Sequence, residues 1–153
     1  MGAVTQPLYP VEVFEGTETA LFLFGAGFLG EQDARHGLDA GVVGTVVDCD
    51  QEKVREMRAL YPGDWKFICG DAFYFGINAA GHLHKWDVVS VDPFTNLFAR
   101  CLANLPLWCA LAKRAVVLGT QPGIRIDCDF ESGWAPAQVV SRSPIADWTV
   151  FTR

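Results

Sequence analysis

The chain has 153 residues, 50% of them hydrophobic and 20% charged, and twelve Lys+Arg against eighteen Asp+Glu leave a net charge of −6. A chain of this size buries roughly two thirds of its unfolded surface, so one domain with a real core is expected, not a disordered tail or two domains. The basic residues are few and scattered, as at Lys53, Arg55, Arg58, Lys113 and Arg114, which argues against a nucleic-acid binder that works by neutralising phosphates.

No apolar run reaches 18 residues, so no membrane span is expected. The first residues, MGAVTQPLYPVEVFEG, lack a basic segment followed by an apolar one, so no signal peptide is read and a cytoplasmic location is expected. The five cysteines at 49, 69, 101, 109 and 128 form no C-x-x-C pair and read as free, mostly buried thiols. His82 and His84 have no further ligand at suitable spacing, so no metal site is expected.

Taken in chain order, residues 1–18 read as an N-terminal arm or short capping element. Ala20–Phe24 is the first short apolar run. Gly44–Asp48, Trp65–Cys69, Trp86–Val91 and Ala115–Leu118 follow. Near-continuous β-branched runs of this length are what parallel strands covered on both faces require. Phe28–Gly41 and Gln51–Leu60 have room and pattern for helices, the second stopped by Tyr61-Pro62-Gly63-Asp64. Phe94–Leu105 and Leu107–Ala112 read as helix, interrupted or kinked at Pro106, and Thr120–Pro136 as loop. Ala137–Ser141 and Trp148–Thr152 are strands separated by too few residues for a crossover helix, so they must form an antiparallel hairpin. The alternation predicts an α/β fold, a doubly wound, mostly parallel sheet closed by that hairpin.

The densest motif is Gly25-Ala26-Gly27-Phe28-Leu29-Gly30, directly after the first strand and opening a helix. Gly25 suits a tight turn, Gly27 lets a ligand approach the backbone, and Gly30 allows close helix–strand packing. The helix N-terminus offers unpaired N–H groups to an anion. Asp48, at the end of the second strand, is placed to accept both hydroxyls of a ribose. Asp50 reads as the N-cap of the next helix. Cys49 between them offers a compact face to an adenine ring. After the third strand, Asp71 can accept from an adenine amine while the Ala72 N–H donates to a ring nitrogen. Asp92, in Asp92-Pro93-Phe94 after the fourth strand, borders the same crevice at the switch in strand order and faces the reactive end of a ligand. These residues point to an adenosine-containing cofactor.

The run FGAGFLG, VVDCDQEKVREM, FICGDAF, WDVVSVDPF and RAVVLG, closed by the hairpin, resembles the class I, Rossmann-fold, S-adenosylmethionine-dependent methyltransferases over residues 19–153. The resemblance implies a minimal cofactor-binding domain with strand order 3-2-1-4-5-7-6. It implies a cofactor-binding set of Gly25, Ala26, Gly27, Gly30, Asp48, Cys49, Asp71, Ala72 and Asp92, with Asp92 as the catalytic candidate. Three features depart from the family pattern: Leu23 stands where an acid is usual, the glycine spacing is that of nicotinamide-binding domains, and the stretch after strand five is broken by Pro122 and Gly123.

An NAD(H)-binding regulatory domain is therefore the second reading, and an inactive S-adenosylmethionine-binding module the third. Asp33, Arg35 and His36 are weaker candidates near the reacting end, with His36 read as a surface residue. The acidic loop residues Asp127, Asp129 and Glu131 read as a solvated surface. With so little chain beyond the cofactor-binding sheet, the expected substrate is a small or exposed acceptor, a small molecule rather than nucleic acid. The alternative is a site completed by a homo-oligomer or a partner chain.

Overall fold

The computed structural model describes residues 9–93, 95–120, 123, 126, 133–135, 137–140 and 146–153. Phe94, Pro122, Asp127, Cys128, Asp129, Glu131 and the hairpin connection at 143–145 lie outside the described residues. Seven strands, β1 (Thr19–Leu23), β2 (Val43–Asp48), β3 (Lys66–Cys69), β4 (Trp86–Val91), β5 (Ala112–Thr120), β6 (Gln138–Val140) and β7 (Asp147–Thr152), form one sheet in the order β3-β2-β1-β4-β5-β7-β6. All neighbours are parallel except β7, which runs antiparallel to both β5 and β6. The apolar runs place these strands within a few residues of their observed bounds. β5 extends further than its β-branched centre because β7 pairs along it from Ala115 to Thr120.

Two layers of helix cover the sheet. On one face lie α1 (Phe28–Asp39), α2 (Gln51–Leu60) and the segment around a short 3-10 turn at Val11–Phe14. Tyr9 and Phe14 of that segment are buried, stacked on each other with ring centres 5.5 Å apart. Part of the N-terminal stretch is thus a cap over the core. On the other face lie α3 (Ala72–Gly81), α4 (Phe98–Ala103) and α5 (Leu105–Leu111). Trp108 is fully buried there and donates its indole N–H to the Cys101 carbonyl at 2.9 Å, tying α5 to α4. Truncation to Ala at such a site costs roughly 3–5 kcal/mol.

Two sequence expectations change, and one helix is added to them. The interruption expected at Pro106 falls two residues earlier, at Asn104; Pro106 sits in the first turn of α5, where its missing N–H costs nothing. α3 carries no clear polar–apolar period, leaving Tyr74 and Ile77 exposed, which is why its pattern does not announce it. Among the described residues, Cys101 and Cys109 are buried but Cys49 and Cys69 are exposed, so the thiols are not mostly buried. Burial pushes the Cys101 thiol up to about 12, which makes it a packing residue.

Candidate active site

The carboxyl ends of β1, β2, β3 and β4 bring the sequence candidates to one edge of the sheet, where the strand order reverses between β1 and β4. The glycine-rich turn begins one residue earlier than its first glycine. Phe24 has the left-handed φ of 60°, and its ring lies 5.8 Å from Phe73 in a T-shaped contact. Gly25 is therefore needed for room rather than for a left-handed backbone: a Cβ there would lie 2.8 Å from the Phe22 carbonyl oxygen and 2.9 Å from Val46. A Cβ at Gly30 would fall on the Phe24 carbonyl, so the third glycine is what lets α1 start so close to β1. Gly27 caps α1 through the backbone alone.

Asp48 binds this turn. Its Oδ2 accepts from the Ala26 N–H at 3.1 Å and its Oδ1 from the Asp50 N–H at 2.9 Å, with the residue only 6% exposed. A carboxylate has about four acceptor positions, so two remain for a pair of hydroxyls. Asp50 is the N-cap of α2, accepting from the Lys53 N–H at 3.2 Å. Asp71 is also an N-cap, of α3, accepting from the Tyr74 N–H at 2.8 Å through Oδ1, and it is exposed. Ala72 beside it is buried. Cys49 is exposed, and its carbonyl lies 3.7 Å from the Cys69 sulfur.

Asp92 continues β4 past Val91, its N–H 3.4 Å from the Leu23 carbonyl. It lies against β5, where a Cβ at Gly119 would fall on its carboxyl. The weaker candidates divide. Arg35 stays on the surface, paired with Glu31 at 3.3 Å. His36 is half-buried, with its ring 6.2 Å from Tyr9, and burial lowers its pKa against the opposing pull of Asp39. Asp33 is 2% exposed and within hydrogen-bonding reach of Asp92. That pairing, and the Tyr9–Ser90 contact beside it, was not read from the sequence. A signal was present: Gly30, Asp33, Ala34 and Gly37 form the buried stripe of α1, and a carboxyl within such a stripe breaks the expected polar–apolar pattern.

No protein-family model matches the chain, and no curated protein matches it. Solved structures do match. A protein from Streptococcus mutans assigned as a SAM-dependent methyltransferase superposes over 93% of this chain and 47% of its own, at 11% identity and a TM-score of 0.70. An O-methyltransferase family protein from Burkholderia thailandensis superposes over 92% and 52%, at 14% identity and 0.67. A SAM-dependent methyltransferase from Thiobacillus denitrificans, solved with S-adenosyl-L-homocysteine, superposes over 76% and 50%, at 22% identity and 0.51. The chain has the class I methyltransferase fold, and it spans about half the length of these structures. The reversed β7 inserted between β5 and β6 separates it from the dinucleotide-binding order 3-2-1-4-5-6, and the nicotinamide reading is not favoured. No helix among the described residues is long and apolar enough to cross a membrane.

Proposed function

We propose that this chain is an S-adenosylmethionine-dependent methyltransferase acting on a small or exposed acceptor. The observation that carries the reading is the meeting of the Gly25–Gly30 turn, Asp48, Asp71 and Asp92 at one edge of a sheet ordered β3-β2-β1-β4-β5-β7-β6. The residues fit the cofactor on their own chemistry. Asp48 keeps two acceptor positions for the ribose hydroxyls after satisfying Ala26 and Asp50. Asp71 keeps a second oxygen for the adenine amine after capping α3, the Ala72 N–H would donate to the adenine edge, and the exposed Cys49 would lie against its ring. Gly25, Ala26, Gly27 and Gly30 form the turn along which the methionine portion would lie, with Gly25 and Gly30 making the room that holds the turn against the sheet.

When bound, the cofactor supplies a methyl group made electrophilic by its sulfonium. The chain's own work is positioning, which converts a bimolecular displacement into one with its reactants already aligned. Asp92 faces the reacting end, where it orients the acceptor and takes a hydrogen bond from it. The alternative arrangement is a substrate site completed by a second copy or another chain.

Formation of S-adenosylhomocysteine with a panel of small amine, hydroxyl and thiol acceptors tests this function. Acceptor-dependent formation supports an enzyme. Tight cofactor binding with no turnover across the panel would favour the inactive binding module.

A further inference from the structure

Asp33 projects from the buried stripe of α1 toward the sheet, and Asp92 leaves the end of β4 on that same face. Each carboxyl has a buried Oδ2 that receives no N–H or O–H donor among the described residues. Among the described residues, the groups facing the pair offer no lysine or arginine. Tyr9, from the capping segment, is buried and donates its hydroxyl to Ser90 Oγ of β4 at 3.1 Å. Trp148 of β7 is buried with its ring 6.2 Å from Tyr9; its indole N–H is near enough to Asp92 to favour the charged form but is not in hydrogen-bond geometry. His36, on α1 itself, meets the ring of Tyr9. Two carboxylates within hydrogen-bonding reach of each other are not both ionised without a counter-charge, and a buried acceptor left unpaired is costly. One proton shared by the pair gives each carboxyl a partner.

We propose that Asp33 and Asp92 share one proton at neutral pH, held on Asp33 and donated to Asp92, and that Asp33 is thereby the positioning residue that orients and charges Asp92. The assignment of direction follows burial. Asp33 is the more enclosed, and burial raises its pKa well above the usual carboxylate range, with the Asp92 charge adding to the rise. Burial also raises Asp92, while the hydrogen bond from Asp33 and the Trp148 N–H oppose that rise. Tyr9 stays neutral for the same reason, its hydroxyl pushed well up by burial and by the nearby Asp33. Asp33 touches no open surface, so it acts on ligand only through Asp92. The shared proton does not depend on the methyltransferase reading; the role of Asp92 at the reacting end does.

The test is a carbon NMR titration of aspartate side chains in the whole ligand-free chain, repeated in Asp33→Asn and Asp92→Asn. The expected result is one aspartate carboxyl still protonated at pH 7, lost in Asp33→Asn and kept in Asp92→Asn. All carboxyls ionised at pH 7 in the wild type would overturn the proposal, and this needs no variant to fold. Loss in Asp92→Asn with retention in Asp33→Asn would make Asp92 the holder and overturn the direction. The positioning role is read from the pH dependence of S-adenosylhomocysteine affinity. In Asp33→Asn the side-chain amide still donates to Asp92 but carries no titrating proton, so the alkaline midpoint that Asp33 ionisation gives the wild type should disappear. An unmoved midpoint would reduce Asp33 to a structural residue. A wild type that holds the proton yet binds no S-adenosylhomocysteine at any pH would overturn the cofactor reading and leave the shared proton standing.

Discussion

The two halves of the cleft edge use carboxyl groups in opposite ways. Beneath β1, β2 and β3, each carboxylate is met by backbone N–H groups: Asp48 by Ala26 and Asp50, Asp50 by Lys53, Asp71 by Tyr74. Under β4, β5 and β7, Asp33 and Asp92 meet each other, with a tyrosine, a serine and an indole around them. Backbone donors stabilise the charged carboxylate and fix its geometry. A buried pair without such donors must carry a proton. On the proposed reading, the first half is a prebuilt anionic grip and the second is titratable, which puts binding and pH sensitivity on different strands of one sheet.

The largest effect expected is from Asp48→Ala. Two charge-assisted hydrogen bonds to a ribose are lost, each contributing roughly 1.5–3 kcal/mol, so S-adenosylhomocysteine affinity should drop at least about 100-fold by calorimetric titration. Unchanged affinity would remove Asp48 from the grip. Gly30→Ala comes next. Its Cβ would fall on the Phe24 carbonyl, and urea unfolding should show a loss of about 1–3 kcal/mol as α1 is displaced from β1.

Asp33→Asn tests the other half by stability rather than binding. The unfolded carboxyl ionises near pH 4, whereas the folded one is raised well above that, so folding takes up a proton. Wild-type stability should therefore fall as pH rises from about 4 through the raised folded value. The asparagine substitution removes that slope. The variant's melting temperature relative to wild type should rise on going from pH 5 to pH 9, and a difference constant across that range would contradict a protonated Asp33.

The smallest effects separate two caps that look alike. Asp50→Ala and Asp71→Ala should each cost about 1 kcal/mol in unfolding experiments, the usual loss of an N-cap. Only Asp71→Ala should also weaken S-adenosylhomocysteine binding. Equal affinities in the two variants would leave Asp71 a cap and nothing more.

Most of the adenosine half is legible in the sequence because its parts are local. Gly25-x-Gly27-x-x-Gly30 sits between a strand and a helix, and Asp48 and Asp71 each follow a short apolar run. Strand order was carried by the family resemblance and by the hairpin, where so few residues join β6 to β7 that antiparallel pairing is forced. What stayed hidden depends on contacts far apart in the chain. Tyr9 meets Ser90 across 81 positions, and Asp33 meets Asp92 only once α1 and the end of β4 come together on one face of the sheet. The role expected of Gly25 shifted for a related reason. The left-handed residue is Phe24, and the demand on Gly25 comes from Phe22 and Val46, the latter on a neighbouring strand.

The comparison of cofactors by thermal shift tests the central claim most directly. S-adenosylmethionine and S-adenosylhomocysteine, at about 100 times their dissociation constants, should stabilise the chain by about 2.7 kcal/mol, seen as a rise of several degrees, while NAD(H) leaves it unmoved. Stabilisation by NAD(H) alone would contradict the account.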